Sequence, residues 1–305
     1  MSKSHELNGI FIVDKPVNIS CAKVVSIVKK ISDTKKAGHT GTLDPFATGV
    51  MICCVNKATK LASFFLKGDK KYQGVLKLGV ETNTQDSTGT VTSTGKVGEF
   101  SKTAIESVFQ EFVGKIDQVP PVFSALKHKG TPLYKLARKG KPFTKPPRSI
   151  TIYYINILAI DLPEISFEVS CSSGTYIRTL CADLGKRFGC GGHLKALTRV
   201  GCNRFSLKDA SSLNQLEDLA KTGHIGERLI SLNDALPDMP SYNADKSLTE
   251  KIKYGRIISK KDLGEIYDSH SHKYLKIIDS KFRLLAILTW DTMKGAYKYH
   301  SVFVD

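Results

Sequence analysis

Residues 8–14, NGIFIVD, are a short apolar run and predict a strand. Asn18-Ile-Ser20 follows as a cap, and Val24, Val25, Ile27, Val28 and Ile31 then share one side of a helix over 21–31. GVMICCV (49–55) predicts a buried strand, and Lys57 to Phe65 a short helix. KKYQGVLKLGV (70–80) alternates as a half-buried strand does, and the polar stretch 82–95 reads as a loop. Ile105, Val108, Phe109 and Phe112 lie at helical spacing within 103–113. The β-branched and aromatic runs 149–162 and 164–177 predict paired strands. A helix over 179–188 ends at glycines, and segments 193–199 and 202–207 return to the sheet. Residues 209–238 read as helix with loops, and LPDMPSY (236–242) as a boundary. The tail is rich in expected strands: KIKYGRII, KYLKIID, FRLLAILTW and KYHSVFV. Its size suits a small β-barrel-like module.

Charge changes this picture. The 305 residues carry 45 Lys and Arg against 29 Asp and Glu, a net charge of +16. Such an excess favours a polyanionic partner, because binding to phosphates releases condensed counterions. Residues 118–160 contain no acidic residue, and 127–148 hold eight Lys or Arg with several prolines. This stretch reads as a mobile, basic, nucleic-acid-gripping insertion rather than a floppy linker, since Tyr134, Leu136 and Phe143 give it something to dock with. No apolar run approaches the roughly 18 residues that span a bilayer, and the start, MSKSHELNGIFIVDKP, lacks a cleavage-type segment. Seven cysteines without a C-x-x-C pair are expected to be free, mostly buried thiols in a reducing cytoplasm. Cys190 and His193 fall short of a zinc ligand set, so no metal is expected.

Motifs for nucleotide cofactors, metalloproteases and serine nucleophiles are missing from the sequence. Any reaction is left to a carboxylate, with Tyr and Arg as helpers. GHTGTLDPFATGV (38–50) supplies one: Asp44 is the lone acid between Asp33 and Asp69. Pro45 biases it toward extended backbone, and the surrounding glycines permit tight turns and close approach of a ligand. A helix cap followed by Pro would read the same way. The residues alone leave capping and catalysis equal, and the two are compatible.

GHTGTLDPFATGV closely resembles the catalytic motif of the TruB family of bacterial-type tRNA pseudouridine synthases. Further blocks resemble that family in the same order: VDKP (13–16), KKY (70–72), GVETNTQDSTG (79–89), PPVFSALK (120–127), LYKLARKG (133–140), SSGTYIRTL (172–180) and GGHLKALTRVGCNRF (191–205). The resemblance implies an α+β fold: a mixed, largely antiparallel sheet flanked by helices, the pseudouridine synthase fold. Residues 1–240 would be catalytic, with 118–150 as the basic RNA-gripping insertion, and 241–305 a small β-rich, PUA-like RNA-binding module. The implied substrate is the uridine at position 55 in the T-loop of tRNA.

By the same resemblance, Asp44 is the nucleophile, acting at ribose C1′ or uracil C6. Tyr72 stacks on the uracil and helps remove the C5 proton. Arg178 pairs with Asp44, and a guanidinium there keeps a partly buried carboxylate ionised. Asp86 is a second partner for Arg178. Tyr176 and Leu194 are pocket walls, and His39 fills the space left by a flipped base. Lys127, Arg138, Lys139 and Arg148 grip phosphates. No cofactor, protein partner or membrane is implied, and a monomer is expected. The rival readings are a non-catalytic tRNA-folding chaperone and a synthase acting on another RNA. The chain departs from the family pattern at Asn18, where glycine is usual, and at Thr198 and Val200.

Overall fold

A computed structural model describes residues 6–264 and 273–304. The chain start read for targeting (1–5) lies outside the described residues. Eight strands run side by side in the order Ile230–Ser231, Gly9–Lys15, Thr48–Val55, Gly192–Cys202, Lys70–Leu78, Glu164–Cys171, Arg148–Asp161 and Gly114–Gln118. Two short strands complete the sheet: Ala37–His39 beside Thr48–Val55, and Phe205–Ser206 beside Gly192–Cys202. Pairing is antiparallel along this order except at one place. Thr48–Val55 and Gly192–Cys202 run parallel, with Thr198 opposite Thr48 and Arg199 opposite Gly49. The sheet is thus mixed and largely antiparallel, as expected.

The alternation of side chains explains why residues 10–13 and 49–55 of the strands Gly9–Lys15 and Thr48–Val55 are apolar throughout. Phe11, Val13, Met51, Cys53 and Val55 face one cluster, formed with Val24 and Val28 of the helix Cys21–Ile31, Leu180 and Leu184 of Ile177–Arg187, and Leu216 of Leu213–Lys221. Ile10, Ile12, Val50, Ile52 and Cys54 face the opposite way, onto Ala58, Leu61, Phe65, Ile278, Leu284, Ile287 and Phe303. A strand buried on both faces keeps no polar register. All seven cysteines are buried and free.

The tail builds a four-stranded sheet, Ser241–Asn243, Leu275–Ile278, Leu284–Asp291 and Ala296–Val302, around a separate apolar cluster. Ile278, Leu284, Ile287 and Phe303 also pack on the back of the large sheet. Lys57 Nζ and Lys60 Nζ donate to Phe303 O at 2.7 Å and Val302 O at 2.6 Å across the join.

Three readings of the sequence need correction. KIKYGRII is not a strand: Lys246–Lys253 is a helix, capped by the Asp245 side chain, with Leu248 and Ile252 one turn apart on its buried side. The 82–95 loop is bounded by paired strands Val80–Thr82 and Val91–Thr94. The basic insertion contains a small hairpin, Lys127–His128 with Thr131–Pro132, then a helix, Leu133–Arg138, seated by the fully buried Leu133. Phe143 stacks on His128 with ring centroids 3.8 Å apart.

Candidate active site

Asp44 lies in the loop that feeds Thr48–Val55, directly before the parallel junction. The Asp-Pro pair starts a single turn, closed by Ala47 N–H donating to Asp44 O at 3.1 Å, and no helix follows. The carboxylate caps nothing: no backbone amide of the described residues donates to it. It turns instead to Arg178, whose Nε lies 2.9 Å from Oδ2, while Nη2 donates to Oδ1 at 3.5 Å. The aspartate side chain remains 35% exposed, whereas that of Arg178 is 5% exposed. The carboxylate is thus partly open to solvent.

Arg178 is the second residue of the helix Ile177–Arg187. The start of that helix is fixed by Gln118, which accepts from Tyr176 N–H at 2.8 Å and donates to Tyr176 O at 3.0 Å. The guanidinium then reaches three segments. Nη1 donates to Thr84 O at 2.8 Å and Nη2 to Phe123 O at 2.9 Å, and Nη1 lies 3.6 Å from Asp86 Oδ2. Asp86 is itself buried; its Oδ1 accepts from Thr84 Oγ1 (2.7 Å), Thr88 N–H (2.9 Å) and Thr88 Oγ1 (2.6 Å). Two carboxylates therefore share one planar cation, the geometry for which Arg rather than Lys is suited.

The charges act on one another. Burial holds the Asp44 pKa above the ordinary carboxylate value and Asp86 adds to the rise, while Arg178 and Lys15 oppose it. The guanidinium favours the ionised form, as expected, but desolvation outweighs it. Burial and the nearby Arg199 cation hold His39 below its ordinary pKa, so its ring is neutral at neutral pH. Tyr72 sits in the middle of the sheet, opposite Val169 and Arg199, and burial is the main cause that pushes its phenol up to about 12.

Two expected residues are placed differently. Leu194 is fully buried and offers no pocket surface. Its backbone instead clamps the Asp86 turn, donating to Gln85 O at 3.1 Å and accepting from Ser87 N–H at 3.0 Å. Arg148 is half-buried: its guanidinium stacks 4.8 Å above the Tyr176 ring and donates to Gly174 O. Its stacking partner is thus Tyr176, a contact the sequence reading did not foresee. Lys127, Arg138 and Lys139 are exposed, as a phosphate-gripping role requires. Asn18 adopts φ 61°, the left-handed geometry that glycine would supply at this turn. His193 Nδ1 lies 2.8 Å from Val80 O, and the described residues contain no cluster of three or more His, Cys, Asp or Glu side chains suited to a metal.

Lys15 and Arg199 were missed by the sequence reading. Lys15 is completely buried; Nζ donates to Pro16 O at 2.9 Å and Pro45 O at 3.0 Å, next to Asp44. Arg199 is 1% exposed. It donates through Nε to Val50 O (2.7 Å) and through Nη2 to Gly41 O (3.2 Å), and its charge opposes the rise in the Tyr72 phenol pKa. The available signal was a charge in phase with the buried Leu197 on a strand. Nothing in the sequence marks Lys15 as buried.

A partly open carboxylate bound to a buried guanidinium lies beside the parallel junction of a mixed sheet that carries a basic insertion, and comparison with known proteins identifies the chain as an RNA-modifying enzyme of the pseudouridylate synthase class. The N-terminal domain of TruB-family pseudouridylate synthases matches residues 29–177, and the C-terminal domain of tRNA pseudouridylate synthase B matches 178–239. The chain is 41% identical to tRNA pseudouridine synthase B of Syntrophotalea carbinolica over 249 residues, 82% of this chain and 81% of that protein. It is 38% identical to the protein of the same name from Francisella tularensis subsp. novicida over 287 residues, covering 90% and 95%. The fold is shared with a chain in an H/ACA RNP bound to a substrate RNA containing 2′-deoxyuridine (TM-score 0.72, 23% identity, 97% of this chain and 85% of that one). A Cbf5-Nop10-Gar1 complex gives a TM-score of 0.71 at 24% identity, covering 98% and 84%. The chain belongs to the TruB family.

Proposed function

We propose that the protein isomerises uridine to pseudouridine in tRNA, at position 55 of the T-loop, with Asp44 as nucleophile. The reading is carried by one observation: the Asp44 carboxylate is open to solvent yet held 2.9 Å from a buried guanidinium. In the reaction the N1–C1′ bond breaks, the uracil turns, and C5 joins C1′. The C5 proton is lost and N1 gains one, so no atoms or electrons are left over and no coenzyme is called for. The carboxylate attacks ribose C1′ or adds to uracil C6; either holds the sugar or the base while the ring rotates. Arg178 orients the carboxylate and opposes its protonation. Tyr72, neutral with its phenol pushed up to about 12, contributes the face of its ring to the base rather than a phenolate.

The uridine reaches this site by base flipping, at a cost of a few kcal/mol of stacking. His39, uncharged, fills the vacated space, and Tyr176 walls the pocket. Lys127, Arg138 and Lys139 hold the T-stem-loop backbone. Residues 1–240 form the catalytic domain and 241–305 a PUA-like RNA-binding module; the four-stranded tail sheet supports this division. The protein works as a cytoplasmic monomer without a protein partner. No helix of the described residues is long and apolar enough to cross a membrane.

Unmodified tRNA transcript, incubated with the protein and mapped by carbodiimide-dependent reverse-transcription stops, tests this. The expected result is a stop at the T-loop uridine that is lost with Asp44→Asn. RNA refolding without a modified base would favour the chaperone reading, and a stop on ribosomal RNA alone would point to a different substrate.

A further inference from the structure

The chemistry depends on where the Asp44 carboxylate points, and that is set by the backbone on either side of it. Residues 40–47 contain no helix or strand, so side chains from other elements impose their shape. Gly41 O receives Arg199 and Pro45 O receives Lys15. Between them stands Leu43, directly before Asp44 and 3% exposed. Both of its backbone groups go to a single sulfur atom. Leu43 N–H donates to Cys21 Sγ at 3.1 Å, and the Cys21 thiol donates to Leu43 O at 3.3 Å. No other group of the described residues bonds to either one. Cys21 is buried as well, opening the helix Cys21–Ile31, in the same apolar cluster as Leu43, Ala47 and Met51.

We propose that Cys21 is a positioning residue for the reaction: its thiol holds the peptide before Asp44 and thereby aims the carboxylate. The proposal rests on Asp44 being the reacting group. A buried backbone N–H and C=O are rarely left unpaired, because each then forfeits its water without compensation. With the sulfur removed, the Leu43 peptide must rotate toward solvent, and the next residue in the chain turns with it. A reacting group displaced by about 1 Å loses up to roughly a hundredfold in rate. Contacts that grip the RNA lie elsewhere, on the insertion and the tail. A change at Cys21 should therefore appear in kcat and spare KM.

Three variants and one exchange measurement test the idea. Cys21→Ala removes both bonds, Cys21→Val removes them while keeping bulk, and Cys21→Ser keeps a donor and acceptor at the same place. With unmodified tRNA, the Ala and Val variants are expected to lose about tenfold or more in kcat with KM within about twofold, and Ser to stay near the wild type. In the RNA-free wild-type protein and the Ser variant, the Leu43 amide is expected to exchange with solvent deuterium far more slowly than that of exposed Thr42. Wild-type kcat in the Val variant would overturn the proposal. So would a Leu43 amide in the wild type exchanging as fast as its exposed neighbour, a result available even if the Ala and Val variants fail to fold. Exchange needs no substrate, so an error in the assigned reaction would leave Leu43 protected and remove only the kinetic readout.

Discussion

Replacing Arg178 by Met removes the cation and keeps most of the bulk. Unit charges 2.9 Å apart attract by ~6 kcal/mol at an effective dielectric constant of about 20. Asp44 is 35% exposed, and water screens a pair so open to solvent, which brings the share acting on the carboxylate to roughly 2 kcal/mol. At neutral pH this corresponds to about a 30-fold loss in kcat/KM. The sign on pH follows from the same charges. Burial already raises the Asp44 pKa and Arg178 opposes the rise, so Arg178→Met makes the carboxylate harder to ionise. The acid limb of the kcat/KM profile moves to higher pH, and alkaline buffer returns part of the activity. Stability falls separately, because Thr84 O and Phe123 O lose their donor, at about 1–3 kcal/mol for each buried acceptor left unpaired. Tritium release from C5-labelled uridine in tRNA, followed across pH beside a thermal melt, reads both effects. A variant within threefold of wild-type kcat/KM, with an unmoved acid limb, would refute the electrostatic role.

Asp44→Asn should raise the melting temperature at neutral pH. A folded-state pKa above the unfolded one, raised chiefly by burial, means the ionised carboxylate costs stability as pH rises through it. The difference should vanish below the unfolded pKa, and a lower melting temperature for the variant at neutral pH would contradict the burial argument. Changing Lys127, Arg138 and Lys139 together to Ala should weaken tRNA binding and reduce the slope of log affinity against log salt by about 2–3, measured by filter binding. Gly49→Ala should destabilise by about 3 kcal/mol or more in denaturant melts, since φ is 104° and a Cβ would stand 2.3 Å from Arg199 O.

Asp44 stood out by its local context, whereas the roles expected of Arg178 and Asp86 were legible only through the resemblance of their blocks to the family. Asp44 is an isolated acid before proline, Arg178 follows a Ser-Ser-Gly turn, and Asp86 sits among threonines that become its donors. The doubly covered strands were legible as unbroken apolar runs. Arg199 and Lys15 were not, because a charged letter carries no mark of burial: both are stabilised by carbonyl oxygens brought from distant segments. Leu194 was misread for a related reason. Its side chain is ordinary core, and its contribution is through backbone bonds to Gln85 and Ser87, invisible to residue type. KIKYGRII misled because its β-branched and aromatic letters outvoted Leu248 and Ile252, whose one-turn spacing across the segment edge is helical.

The apolar layer joining Ile278, Leu284, Ile287 and Phe303 to the back of the large sheet makes the enzyme a fixed caliper. Its tail cannot swing away without tearing open a shared interior, so the span from reacting carboxylate to tail is built in. Under the proposed function, an RNA that touches both Asp44 and the tail must present its two contact points at that spacing, and one folded to a different length does not fit.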